Sequence, residues 1–200
     1  MWYSFRKKGV IFVLDIHFQE LHTPRLLLRR LTPEDLPLYY SRLAGSETVT
    51  RYMLWKPHTR IEESQASIQK ALKRYETGES CRWVIAEKGT GNLMGIIDLM
   101  PQDPHTGTCT FAYMLGAEFW GQGYGTEAVK AVIGYAFSHC GALVVQADHF
   151  ADNPASGKVM EKAGMIRIGT IPEKYEKNNR LHDAQVYRLT KAQWLKQQSR

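Results

Sequence analysis

Two hundred residues, 44% of them hydrophobic and five of them tryptophan, suffice for one domain with a real core. No stretch approaches the roughly 20 apolar residues of a membrane span. The formal charge of +6 points to an anionic ligand or partner: a phosphorylated cofactor, a nucleoprotein surface or nucleic acid, although no nucleic-acid-binding motif stands out. The three cysteines, Cys81, Cys109 and Cys140, are odd in number and lack short paired spacing. They indicate neither a disulfide framework nor a metal site, and a reducing cytoplasm is the simplest setting.

The chain opens with FRKKGVIFVLDIHF, which has the basic-then-apolar order of a secretory signal. Asp15 interrupts the apolar run and no small-residue cleavage site follows, so Met1 to His17 reads as an extra strand or a loose extension. The organisation expected is an N-terminal extension over residues 1–20 and one domain over 21–200. RLLLRRL, from Arg25 to Leu31, reads as a strand. Thr32 then caps a helix with Pro33 at its first position and two acids in its first turn. Between Glu62 and Tyr75, apolar residues at three- and four-residue intervals predict a second helix, ended by Gly78.

CRWVIAE and LMGIIDLM flank the turn KGTGN and predict a hairpin; PQDPHTG breaks the chain and TCTFAYML adds a third strand. After the glycine-rich stretch EFWGQGYGTEA, Ala128, Val129, Val132, Ile133, Ala136 and Phe137 form one apolar stripe of a helix that Gly141 stops before the strand ALVVQA. NPASGKVMEKAG is a short helix capped by Asn153, MIRIGTI and AQVYRLT are strands, and Thr190 with Gln193 makes a capping box for a last helix. With no internal repeat and no low-complexity linker, the pattern is one α+β domain with a mixed sheet.

Gly121, Gly123 and Gly125 stand between a strand and a helix. Backbone N–H groups at a helix start lack intrahelical partners, so Gln122, Gly123, Tyr124, Gly125 and Thr126 are placed to hold a phosphate or pyrophosphate. A tight turn packing helix on sheet is the plainer alternative. A P-loop is absent, because Thr126 is followed by Glu127. A dinucleotide fingerprint finds an acid at Asp148, but its third glycine falls on Thr126, and five residues, Gly116 to Trp120, separate strand from loop.

Taken together, TPRLLLRRLTPED, AYML with FWGQGYGTEA, NPASGKVMEKAGM and DAQVYRLTKAQW resemble the GNAT acetyltransferase superfamily, and within it the Rim-like branch that acetylates ribosomal-protein N-termini. The likeness spans Thr23 to Trp194. It implies a mostly antiparallel mixed sheet with helices on both faces and a splayed central strand pair. It also implies acetyl-coenzyme A as cofactor, its pyrophosphate on the amides from Gln122 to Thr126. Main-chain groups of Met114 and Leu115 would bind the pantetheine and thioester oxygen, and Asn153 and Ser156 would lie near the pantetheine arm and sulfur. The family's usual Arg or Gln three residues before Gly123 is Trp120 here.

The implied activity is acetyl transfer to a primary amine, either the α-amine of a protein such as a ribosomal protein or a small amine such as an antibiotic or polyamine. A catalytically silent coenzyme-A-binding module is the alternative from another class. Leu115 N–H would polarise the carbonyl, and Ser156 would protonate the leaving thiol or simply occupy the first helical turn. Relatives often carry a basic glutamate where Thr110 stands. Asp98, His105, Asp148 and His149 remain as bases by residue type, and Tyr113 and Tyr187 as core or orienting residues. A monomer or homodimer, ribosome-associated or not, is compatible with the sequence.

Overall fold

The computed structural model describes residues 14–77 and 80–199; the segment before Leu14 and the helix stop expected at Gly78 lie outside them. Within these residues eight strands form one sheet in the order β1-β2-β3-β4-β5-β6-β8-β7. They are β1 (Leu21–His22), β2 (Leu26–Arg29), β3 (Cys81–Glu87), β4 (Leu93–Asp103), β5 (Thr108–Leu115), β6 (Val144–Phe150), β7 (Ile166–Lys177) and β8 (Arg180–Thr190). Neighbours run antiparallel except β5 and β6, which the glycine loop and helix α4 (Tyr124–Ser138) connect in parallel.

The apolar runs are continuous because both faces of the sheet are covered. Cys81, Trp83 and Ile85 of β3 pack on one side with Val129, Ile133 and Phe137 of α4. Val84 and Ala86 pack on the other with Ile68 and Ala71 of α3 (Ile61–Thr77). Helices α5 (Pro154–Lys162) and α6 (Lys191–Gln198) follow the sequence expectation, with Asn153 and Thr190 as their caps.

Several details differ from expectation. Residues 14–20 are part of the domain: Ile16 is buried, the Trp83 indole donates to the Gln19 carbonyl at 2.7 Å, and Asp15 N–H donates to the Cys140 carbonyl at 3.1 Å. The helix expected after Thr32 is a 3-10 turn, Pro33–Asp35, then α1 (Leu36–Leu38) and a π-helical stretch, Tyr39–Ala44, whose wide turn shows in Gly45 N–H donating to the Tyr40 carbonyl at 2.8 Å. A further short helix, α2 (Glu47–Thr50), starts at Ser46, whose hydroxyl accepts from Val49 N–H at 3.3 Å. Strand β4 continues past Pro101 to Asp103, and the proline sits beside a register shift, where a missing donor is tolerated. Strands β7 and β8 extend well beyond MIRIGTI and AQVYRLT and meet in a turn at Asn178 and Asn179, with φ of 53° and 57°. Paired positive φ values match the twist of a two-residue hairpin loop.

Strands β5 and β6 are paired only over Thr108, Cys109 and Thr110 against Val144, Val145 and Gln146; beyond that they part. On the other side of β5, Gly95 permits unusually close approach of β4, since a Cβ there would fall 2.3 Å from the Met114 carbonyl oxygen. That oxygen is backbone in a paired strand and cannot swing aside. Gly95→Ala is therefore expected to lower unfolding free energy by about 2–3 kcal/mol through forced separation of the two strands. Urea denaturation checks it, and wild-type stability would refute the close approach.

Candidate active site

After β5 the chain makes one 3-10 turn, Ala117–Phe119, and enters the glycine loop. Gly121 and Gly123 have φ of 74° and 85°, in the left-handed region that disfavours a side chain. A Cβ at Gly121 would meet nothing within 4 Å, and one at Gly123 only Arg25 Nη2 at 3.4 Å, so open space faces this backbone. Gly123 caps α4, and among the described residues no protein acceptor takes the amide hydrogens from Gln122 to Thr126. Gly125 differs: it is buried in the first turn of α4, and a Cβ there would touch Leu115, Tyr113 and Val159 at 3.4–3.6 Å, so its smallness serves packing. The result is an open concavity lined by amides at the positive end of a 15-residue helix, which suits a pyrophosphate.

The loop is fixed from the far end of the sequence. Glu127 accepts from the Thr23 hydroxyl at 2.6 Å, from Arg25 N–H at 2.9 Å and from Arg25 Nε at 2.7 Å. Arg25 also donates to the Gln122 carbonyl at 3.0 Å and lies 4.3 Å from the centre of the Tyr124 ring. Burial works against the Glu127 charge, but the Thr23 and Arg25 donors hold the carboxyl below its ordinary range. Trp120, where relatives carry Arg or Gln, donates its indole N–H to the Leu115 carbonyl at 2.9 Å and so ties the loop to the strand end.

The strand register decides which main-chain groups face the splay. Gly116 N–H donates to the Met94 carbonyl at 2.8 Å, and antiparallel alternation then assigns the N–H and C=O of Met114 to β4. Tyr113 and Leu115 turn theirs toward the gap. The expectation for Met114 is thus corrected: its main chain is committed to the ladder and only its side chain reaches the site. Leu115 retains a gap-facing N–H, its carbonyl being taken by Trp120. Across the gap, the Asn153 side chain accepts from Ser156 N–H at 3.4 Å, and the Ser156 oxygen accepts from the Tyr113 hydroxyl at 3.3 Å. Burial raises the Tyr113 pKa, and the Ser156 contact only partly offsets it, so the phenol is a proton holder. The sequence had offered Tyr113 only as core.

Behind β5 lies a cavity of about 230 Å³ lined by Tyr39, Trp55, His58, Arg82, Asp98 and Tyr113, among others. Asp98 is held by Arg82, opposite it on β3, through two hydrogen bonds of 2.7 and 2.8 Å. Burial opposes the Arg82 charge, and the adjacent carboxylate more than offsets this, raising its pKa. His58, absent from the sequence-derived candidates, stacks near Trp55 with ring centres 5.1 Å apart, and its Nδ1 lies 2.7 Å from the Ser64 hydroxyl. Tyr39 bonds Ser67 at 3.1 Å.

The other proposed bases do not line this cavity. Asp148 is bonded by Lys174 at 2.5 Å and by the Tyr175 hydroxyl. His149 is buried, with Nδ1–H donating to the Phe150 carbonyl at 2.7 Å and Nε2 packed against Gly157, where a Cβ would come within 2.8 Å of it. Its place under α5 removes it from the acceptor side. His105 sits in the turn before β5, at the opposite end of that strand from the site. Thr110 lies where β5 is still paired to both neighbours. Tyr187 is buried beside His149 and donates to Glu161 at 3.1 Å.

A sheet that splays beside an amide-lined phosphate cradle, with a second cavity at the same strand end, defines an acyl-transfer enzyme that takes a phosphate-bearing donor. The chain belongs to the acetyltransferase (GNAT) domain family, whose sequence model matches residues 25–166. It is 29% identical over 174 residues to the uncharacterized N-acetyltransferase YoaA of Bacillus subtilis, covering 87% of this chain and 98% of that protein. Two solved structures share the fold. One is spermidine N-acetyltransferase from Vibrio cholerae with CoA and spermine (TM-score 0.75, 19% identity, 86% of this chain and 99% of that one). The other is RimL, a ribosomal alpha-N-protein acetyltransferase, with coenzyme A (TM-score 0.77, 18% identity, 86% and 98%). The protein is an acetyltransferase and acetyl-CoA is its acetyl donor.

The open space before Gly123 generates a test. In Gly123→Val the branched side chain would project into the anion cradle from a backbone that strongly resists it. Thermal stabilisation by coenzyme A is expected to vanish while the apo protein still unfolds cooperatively. Gly125→Ala, in ordinary van der Waals contact with its neighbours, is expected to keep most of that stabilisation. Undiminished stabilisation of Gly123→Val would place the cofactor elsewhere.

Proposed function

We propose that the chain acetylates the α-amine of a polypeptide N-terminus, as a member of the Rim-like branch with ribosomal proteins as its acceptor class. The observation that carries this reading is the state of Asp98, the carboxylate lining the acceptor cavity, which is committed to Arg82 by two short hydrogen bonds. An α-amine has a pKa of about 7.7–8.0, so at pH 7 roughly a tenth of it is already neutral; lysine, at about 10.4, needs roughly 3.5 kcal/mol more deprotonation. A site without a free carboxylate suits the first acceptor. A polyamine brings further ammonium groups, for which this cavity offers no unpaired anion. RimL supports the reading as a fold neighbour, and the charge of +6 is compatible with a partner embedded in RNA.

The donor supplies an activated acetyl thioester. In this reading the amides from Gln122 to Thr126, with Arg25 at their rim, hold its pyrophosphate. The Leu115 N–H, facing the gap between β5 and β6, polarises the carbonyl, an interaction often worth several kcal/mol. Ser156 donates to the departing sulfur while the Tyr113 hydroxyl donates to Ser156, so the serine hydrogen stays free for the thiolate. On the acceptor side, the proton leaves a largely preformed neutral amine through water beside Asp98 and His58.

Two outcomes are expected. Ser156→Ala should lower kcat while the KM for acetyl-CoA stays near wild type, because the hydrogen bond strengthens only as charge develops on sulfur; unchanged kcat would return the serine to a structural role in α5. Among peptides that each carry an internal lysine, those with a free N-terminus should be acetylated and those with a blocked one should not. Faster reaction of the blocked peptides, or of spermidine, would overturn the α-amine assignment.

A further inference from the structure

A second, larger cavity of about 430 Å³ lies on the other side of residues 50–55 from the acceptor cavity. Arg51, Lys177 and Arg180 give it three fixed cations, with His182 beside them. Asp152 is the acid in the lining, and it faces His182 Nδ1 at 3.3 Å. Among the described residues neither arginine has an ion-pair partner; Arg51 lies over the Tyr52 ring with its guanidinium 5.4 Å from the ring centre. Lys177 Nζ donates to the carbonyls of Thr50 at 2.8 Å and Trp55 at 3.3 Å and to that of Met53, so its hydrogens are satisfied while its charge is balanced by no anion. Phe150 and Tyr52, with ring centres 5.9 Å apart, give the cavity an aromatic wall.

The two cavities share one partition. Met53 and Trp55 line the acceptor cavity, whereas Arg51 and Tyr52 line the cationic one. At about 3.3 Å per residue, an extended chain with its amine in the first cavity reaches beyond the partition within roughly three residues. We infer that the second cavity is an acceptor subsite for carboxylates, selecting polypeptides whose residues just after the N-terminal one are aspartate or glutamate. This deepens the proposed function and rests on its assignment of an α-amine acceptor. Arginine suits the role, since its fork bonds a carboxylate through two donors, and cations steer an acidic segment before contact.

The test uses the full chain with acetyl-CoA and short N-terminally free peptides that share their first residue and carry acidic, neutral or basic residues at the next positions. Wild type is expected to favour the acidic over the basic peptide by at least about tenfold in kcat/KM, with the gap shrinking at high salt. In the doubly substituted Arg51→Glu, Arg180→Glu protein the order should invert while the neutral peptide reacts as before. Coenzyme A stabilisation, measured in parallel, should be unchanged and reports an intact fold. Equal rates for acidic and basic peptides would overturn the subsite alone, as would an acidic preference that survives the charge reversal. Inhibition by a single-stranded RNA oligomer without discrimination among peptides would also overturn it, in favour of a nucleic-acid surface. Acetylation of spermidine with no reaction of any peptide would instead remove the α-amine reading, and the subsite with it.

Discussion

Strands β5 and β6 share a ladder of three residue pairs and then separate, and the rest of the site follows from that separation. A paired β6 would consume the outward N–H and C=O groups of Tyr113 and Leu115, leaving nothing at the sheet centre to bind a ligand. Because the strands part, a hydrogen-bonding edge is exposed inside the molecule, where an unpaired edge is otherwise a liability. Helices α4 and α5 bound the opening, the first contributing free amides and the second Ser156. The close approach at Gly95 holds β5 firmly to β4 while its other side stands open.

The glycine loop draws its geometry from outside itself. Glu127 sits one residue past the amides and gathers Thr23, Arg25 and, through Arg25, the Gln122 carbonyl into one network. The entry to β2 therefore sets the loop as much as the glycines do. Trp120 acts from the opposite side through the Leu115 carbonyl. An indole thus does in the protein's interior the tethering that a departure from the usual Arg or Gln might have forfeited, while its ring remains half exposed at 49%.

Much of the fold is legible in the chain because its signals are local. The caps at Asn153 and Thr190, the apolar stripe of α4 and the paired runs around KGTGN depend on residues a few positions apart, and each of these elements is present. What escaped depends on distant contacts. The π-helical stretch at Tyr39 lacks a local marker, and β7 and β8 lengthen through the charged run KYEKNNR, whose Asn178–Asn179 turn was a readable signal hidden by the surrounding polarity. In the site, the cradle and Ser156 were visible as spaced motifs. Asp98 was visible by type, but its capture by Arg82 depends on cross-strand register. His58 and Arg25 carry no motif at all, and only folding brings them to the two ends of the reaction path.

The Lys177 ammonium joins the β7–β8 hairpin to the carbonyls of the 50–55 segment, and so bridges the two halves of the sheet at the end where β5 and β6 have parted. With the short ladder at the opposite end, it closes a ring of chain around the space between them. Under the proposed function, such a ring acts on the topology of the substrate before its chemistry. A free end can be threaded beneath the bridge, whereas a side chain on a folded surface would have to carry its own backbone in with it, doubled. Selectivity for termini is then partly a matter of which shapes can pass, independent of the charge or basicity of the amine.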